Sequence, residues 1–179
     1  MVRFMILAAV LGTGAMVADT SVPLTGENCK ITFVGTKKGG KHDGGFKKLT
    51  GTAKFGADPT TLKIDIDIDM DSIYTENEKV TSHLKTPDFF DVKNNPKSKF
   101  TVTKVEKDKE KDTYKLTGKL DMHGKSKDIT IPAKITQTSD GLKLESTFKI
   151  NRFDWDVKYG KGKVDDDVEI KVKLDGKSK

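Results

Sequence analysis

The stretch whose reading decides the fold runs from Asp71 to Phe100, DSIYTENEKVTSHLKTPDFFDVKNNPKSKF. On both sides of it apolar residues alternate with polar ones at period two, as half-buried strands do. Inside it the period changes. Ile73, Asn77, Val80 and Leu84 are spaced by four, three and four, which predicts a helix over 75–85. Thr75 or Ser72 is placed to cap it, Glu76 and Glu78 fall in the first turn, and Lys85 falls in the last. Pro87 disfavours helical geometry at Thr86 and ends the run. A single helix among strands has no other helix to meet, so its apolar stripe is expected to cover an opening in a β-structure. Phe89 and Phe90 follow at once, and their rings are delivered to the same place.

The strand before this stretch has the cleanest alternation. Leu62, Ile64, Ile66, Ile68 and Met70 share one face, and Lys63, Asp65, Asp67, Asp69 and Asp71 share the other. The first set is expected inside and the aspartates in water. An extended chain spreads those carboxylates into a ladder with no glycine turn to wrap them round an ion, so a calcium loop is not expected. Similar alternation recurs at Ile31–Phe33, Leu49–Phe55, Phe100–Val102, Tyr114–Met122, Ile129–Ile135, Leu142–Ile150 and Val168–Leu174. Turn signals separate these runs, giving about eight antiparallel strands. A large sheet with one dry face must close on itself or pack on another. The expectation is therefore all-β: a single closed up-and-down antiparallel barrel of about eight strands, with one helix covering an end. A barrel of that size is either filled by side chains or holds one small elongated ligand. Gly51, Ala53, Gly118, Ala133 and Ser146 on the apolar faces predict room inside.

The 179 residues suit one domain, with hydrophobic and charged residues each at 34% and a formal net charge of +6. Positive balance fits an anionic headgroup, a membrane surface or nucleic acid. The lysines interleave with acids along the strands rather than clustering with exposed aromatics, so nucleic acid is not expected as a partner. At the N-terminus, MVRFMILAAVLGTGAMVA places Arg3 before an apolar run and then small residues. That pattern predicts a signal peptide over 1–18, a folded domain over 19–179, and a periplasmic or secreted location after cleavage. Cys29 is the single cysteine, so no intrachain disulfide forms, and it reads as a structural thiol opening a strand.

No nucleophile stands beside a candidate base, and neither GxSxG nor HExxH occurs, so a binding protein rather than an enzyme is expected, without a cofactor. His42, His83 and His123 are far apart in sequence. Lys79, Val80, Thr86 and Pro87 occupy the helical positions where a second ligand beside His83 would stand, so no metal site is expected. His42 lies among Lys37, Lys38, Gly39, Gly40, Lys41 and Gly44, where free backbone amides and cations are able to cradle an anion. A solvated hairpin tip has the same composition. Lys38, His42 and His83 are the candidate headgroup ligands.

The blocks GTKKGGKHDGGFKKLTGTAKF, DIDMDSIYTENEKVTSHLKTPDFFDVKNNPKSKFTV, YKLTGKLDMHGKSKDITIPAKI and FKINRFDWDVKYGKGKVDDDVEIKVKL resemble successive blocks of the YceI-like family. The most specific parts are HLKTPDFFDV with the following Pro96 and Phe100, and GKLDMHGKSK. Val80-Thr81 stands where many members carry an Arg-Asp pair. The resemblance implies a secreted, lipocalin-like barrel with an apolar tunnel for a polyisoprenoid, either a quinone or a prenyl phosphate, and no catalytic residues. The candidate lining is Phe46, Ile66, Ile68, Leu84 and Phe89, together with Phe90, Phe100, Leu120, Phe148 and Trp155. One ring of the Phe89-Phe90 pair is expected to anchor the segment and the other to face the ligand. Transient membrane contact and a monomer or homodimer are further expectations. A structural or stress-related secreted barrel with a filled core and no ligand is the alternative.

Overall fold

Alternation becomes strand almost wherever it occurs. The computed structural model describes residues 20–138 and 140–178, so the segment read as a signal peptide lies outside the described residues. The strands are β1 (Thr20–Thr25), β2 (Cys29–Lys37), β3 (Gly40–Phe46), β4 (Leu49–Phe55), β5 (Lys63–Asp69) and β6 (Ile73–Thr75). After helix α1 (Glu78–Leu84) come β7 (Lys97–Lys107), β8 (Thr113–Met122), β9 (Lys125–Thr138), β10 (Gly141–Asn151) and β11 (Asp167–Lys177). They form one sheet in the order β1-β4-β5-β7-β8-β9-β10-β11-β2-β3-β6, with every pair antiparallel.

The all-β class and the single helix agree with the sequence reading, but the closed barrel of about eight strands does not. Among the described residues there are eleven strands in a curled half-barrel, and the end strands β1 and β6 do not pair with each other. Three strands escape the alternation pattern. β1 contains Pro23, which is tolerated because β1 is an edge strand paired only with β4. β3, GKHDGGF, reads as a glycine-rich connection, yet its glycines are what allow it to pack. A Cβ on Gly44 would lie 2.4 Å from Cζ of Phe33 and 2.5 Å from the Tyr74 carbonyl oxygen, so only glycine fits beneath that ring. β6 takes Ile73 out of the stripe read as helical and buries it at 3% exposure.

Two bends explain why the ladder stays open. The chain turns at Lys47-Lys48 between β3 and β4, and at Met70–Ser72 between β5 and β6. The bends are tied together: the Lys47 N–H donates to the Ser72 carbonyl (3.1 Å) and the Asp69 N–H to the Lys48 carbonyl (3.1 Å). Beyond them the halves find different neighbours. β4 pairs with β1 and β5, while β3 pairs with β2 and β6.

Helix α1 is shorter than the 75–85 expected. Asn77 caps it, its side-chain oxygen accepting from the N–H groups of Lys79 (3.0 Å) and Val80 (3.3 Å). Asparagine in extended conformation is among the best caps, and it outcompetes Thr75 and Ser72. Thr75 and Thr81 instead clip the helix to β6: the Thr75 N–H donates to Thr81 Oγ1 (2.8 Å), and the two hydroxyls lie 2.9 Å apart. β5 behaves as read. Leu62, Ile64, Ile66, Ile68 and Met70 are all buried, and Asp65 faces outward to pair with Lys99 at 2.8 Å.

Candidate functional site

One end of the half-barrel is packed solid and the other is not. Along β10, Leu142 and Leu144 are fully buried, whereas Phe148 and Ile150 are half-buried. Along β11 Leu174 is buried, whereas Val172, Ile170 and Val168 are half-buried. Along β2 burial falls from Cys29 to Ile31 and Phe33. The register places these residues side by side, Leu144 opposite Leu174 and Phe148 opposite Ile170, which in turn faces Phe33. Three neighbouring strands therefore lose burial together toward one end. A cavity of about 250 Å³ opens there, its lining almost wholly apolar. Cys29, at the inner end of that lining, is buried, and desolvation pushes its thiol up to about 11.

The structure gathers most of the residues named from sequence. Phe46, Ile66, Ile68, Leu84 and Phe89 line the cavity. So do Phe90, Phe100, Leu120 and Phe148. Val80 adds another apolar wall group. Trp155 is not in the lining. It is buried behind it, its Nε1–H donating to the Leu120 carbonyl oxygen at 3.1 Å. The small residues expected to leave room do not face the cavity either. The space above Gly118 is filled by the Phe100 ring, whose atoms would lie 2.7 Å from an added Cβ. Ala53 and Ala133 belong to the packed core. The cavity lies where large residues stop interdigitating, and the small residues that do line it are Gly35 and Ser98.

The three candidate headgroup ligands are placed differently. His42 lines the cavity, with its Nδ1 at 2.6 Å from Glu76 Oε1. That hydrogen bond holds the Glu76 carboxyl below the usual carboxylate range. Lys38 is exposed at the tip of the β2–β3 turn, outside the lining. His83 is outside it too, with Nε2 at 2.8 Å from Asp88 Oδ2. Its ring meets Phe89 and Tyr159 edge-on, with centroids 5.0 and 4.7 Å away. His123 sits in the β8–β9 turn, bonded through Nδ1 to the Trp155 carbonyl at 2.8 Å. Among the described residues no three metal-type side chains converge.

Sequence reasoning passed over Arg152. It is 4% exposed, touches the cavity, and directs its guanidinium at backbone carbonyls. Nη1 donates to Val157 O and Tyr159 O (2.7 Å each), Nε to Asp165 O (3.0 Å) and Nη2 to Val164 O (3.2 Å). Burial lowers its pKa, opposed by the Asp166 carboxylate. The loop 156–166 is thus wound around one fork of donors. A second anchor is Asp156, paired with Lys125 (2.5 Å) and Lys158 (2.7 Å), which draw its carboxyl down to about 2. A signal for Arg152 did exist. In a chain with 33 basic residues, it is the only arginine besides Arg3. A lysine-rich sequence that spends an arginine needs its planar, multiple donors.

A model of the YceI-like domain matches residues 24–175. The UPF0312 protein of Pseudomonas savastanoi pv. phaseolicola is 30% identical over 182 residues, covering 96% of this chain and 93% of that protein. Protein YceI of Escherichia coli O157:H7 is 27% identical over 172 residues, covering 90% and 88%. Among solved structures, Burkholderia cenocepacia BcnA superposes with a TM-score of 0.74 at 25% identity, over 82% of this chain and 94% of that one. A polyisoprenoid binding domain from Saccharophagus degradans shares the fold at a TM-score of 0.70 and 14% identity, over 89% and 99%. With the family match running from the end of β1 into β11, the chain belongs to the YceI-like family.

Proposed function

We propose that the protein is a periplasmic or secreted binding protein that holds a polyisoprenoid, or a similar long-chain amphiphilic lipid, in the apolar cavity. The observation that carries this reading is the shared loss of burial along β2, β10 and β11. Phe33, Phe148, Ile170 and Val172 stay half-exposed to an internal space, where a filled core would cover them. Covering that apolar surface with an isoprenoid chain is favourable by about 25 cal/mol per Å², before the cost of immobilising the lipid. The Saccharophagus degradans domain of the same fold is a polyisoprenoid binding domain, and the cavity here has the chemistry for that ligand class. In this reading His42, beside Glu76, is one of the polar groups at the cavity wall, with Thr36 and Lys37, that a quinone or phosphate headgroup would meet. The sequence pattern of residues 1–18 motivates the location.

The test is mass spectrometry of the protein purified without detergent from the exported fraction. Its organic extract should contain near-stoichiometric lipid of isoprene-unit composition, and its intact mass should fit a mature chain starting near Thr20. An extract without lipid would favour the filled, ligand-free barrel, and an uncleaved N-terminus in the membrane would contradict the proposed location.

A further inference from the structure

The mouth of the cavity has a basic side built from two loops. One is the β2–β3 tip, Lys37-Lys38-Gly39-Gly40-Lys41, and the other is Lys158-Tyr159-Gly160-Lys161-Gly162-Lys163 between β10 and β11. The two are stitched together: Lys37 bridges to Val164, the Asp165 N–H donates to the Thr36 carbonyl (2.9 Å), and the Thr36 hydroxyl donates to the Asp165 carboxylate. Thr36, Lys37 and Val164 also line the cavity, so the loops are its rim. The tips carry six lysines and no carboxylate. Lys41 and Lys158 pair with Asp43 and Asp156, while Lys37, Lys38, Lys161 and Lys163 are in no ion pair among the described residues. At the foot of the second loop stand three exposed acids, Asp165, Asp166 and Asp167, of which Asp165 accepts from Thr36 and Asp166 faces Arg152.

Between the lysines stands Tyr159. At 46% exposure it is the exposed large hydrophobic side chain among the described residues. The opposite end of the half-barrel differs. Its β7–β8 turn, Glu106 to Asp112, alternates four acids with three lysines. The α1 side of the mouth is also mixed, with Glu76, Glu78 and Asp88 beside Lys79 and Lys85. Net positive charge is therefore concentrated at one edge of the opening.

We propose that this two-loop rim docks on an anionic bilayer, seating the cavity mouth against the membrane so that lipid enters and leaves without crossing water. This rests on the lipid-binding reading above and supplies its partner surface. Lysines near an anionic leaflet are attracted over about one Debye length, roughly 8–10 Å, so only charges at the rim contribute strongly. A tyrosine among them suits the interface, its ring in the headgroup layer and its hydroxyl wet. The α1 side, with its carboxylates, is left tilted away.

The experiment is co-sedimentation of the mature protein with phosphatidylglycerol–phosphatidylcholine vesicles and with pure phosphatidylcholine vesicles, at low and high salt. Three double variants are compared: K38Q/K41Q, K161Q/K163Q, and K109Q/K111Q in the turn at the far end. All three remove the same charge. Each rim variant is expected to weaken binding to the anionic vesicles by roughly fivefold per lysine, on the order of 25-fold in all, with wild-type affinity for K109Q/K111Q. Tyr159→Ser should weaken binding further without altering its salt dependence. Equal loss in all three variants, or no loss in the rim pair, overturns the proposal. Co-purified lipid, measured on K161Q/K163Q, separates the two readings. Lipid retained with docking lost supports both, and lipid absent from wild-type protein that still docks rim-first removes the cargo and leaves the surface.

Discussion

Arg152 shows how much of this fold hangs on one side chain. Four carbonyls from Val157 to Asp165 point at it, and in its absence they would be turned inward without donors. A buried carbonyl left unpaired costs about 1–3 kcal/mol, whereas a lysine offers a point charge rather than a fork. Arg152→Lys is therefore expected to lower unfolding stability by about 1–3 kcal/mol in a denaturant titration and to loosen the loop 156–166 against proteolysis. An unchanged midpoint and an unchanged cleavage pattern would mean that the loop holds its own shape. The glycines make the complementary point. Gly44 reads as part of a glycine-rich connection and Gly118 as room inside the barrel, but each lies under an aromatic ring, of Phe33 and Phe100 respectively. Absence of a side chain says nothing about which neighbour fills the space, and this is why those positions misled the sequence reading.

Among the elements, β5 and α1 mark the two extremes of legibility. β5 was readable to the residue, because strict alternation with opposite chemistry on the two faces leaves only one register that buries the isoleucines. α1 was legible as a helix but not in its bounds, because the stripe began on Ile73, a residue that packs as well from a strand. The paired rings after it now have distinct settings. Phe90 packs against the main core cluster, whereas Phe89 lies 5.0 Å from both His83 and Tyr159, at the joint between the helical segment and the loop 156–166. Phe90→Ala is expected to cost about 3 kcal/mol of stability, the low end for a buried phenylalanine because the ring is only half-covered. Phe89→Ala should cost less stability and release more lipid, since it opens that joint. Thermal unfolding and lipid recovered per mole of protein, read on both variants, decide it. If neither substitution changes bound lipid, the segment is a structural cover and no part of the proposed site.

At the scale of the whole molecule, the sequence shows which faces are apolar but not where they stop meeting. The apolar cavity-lining residues on β2, β10 and β11 belong to alternating runs that continue into the packed core. What divides core from cavity is the distance along the half-barrel, which depends on the bends at Lys47-Lys48 and Met70–Ser72 and on β1 filling the other end. None of that is written in a period of two. The central claim is that an isoprenoid chain lies along this exposure gradient, and photocrosslinking with a diazirine-bearing prenyl lipid tests it most directly. Crosslinked peptides are expected from β2, β10, β11 and the Phe89-Phe90 segment, and an excess of unlabelled prenyl lipid should suppress them. Crosslinks spread over the lysine-bearing outer faces of the strands, or labelling that unlabelled lipid does not reduce, would contradict it.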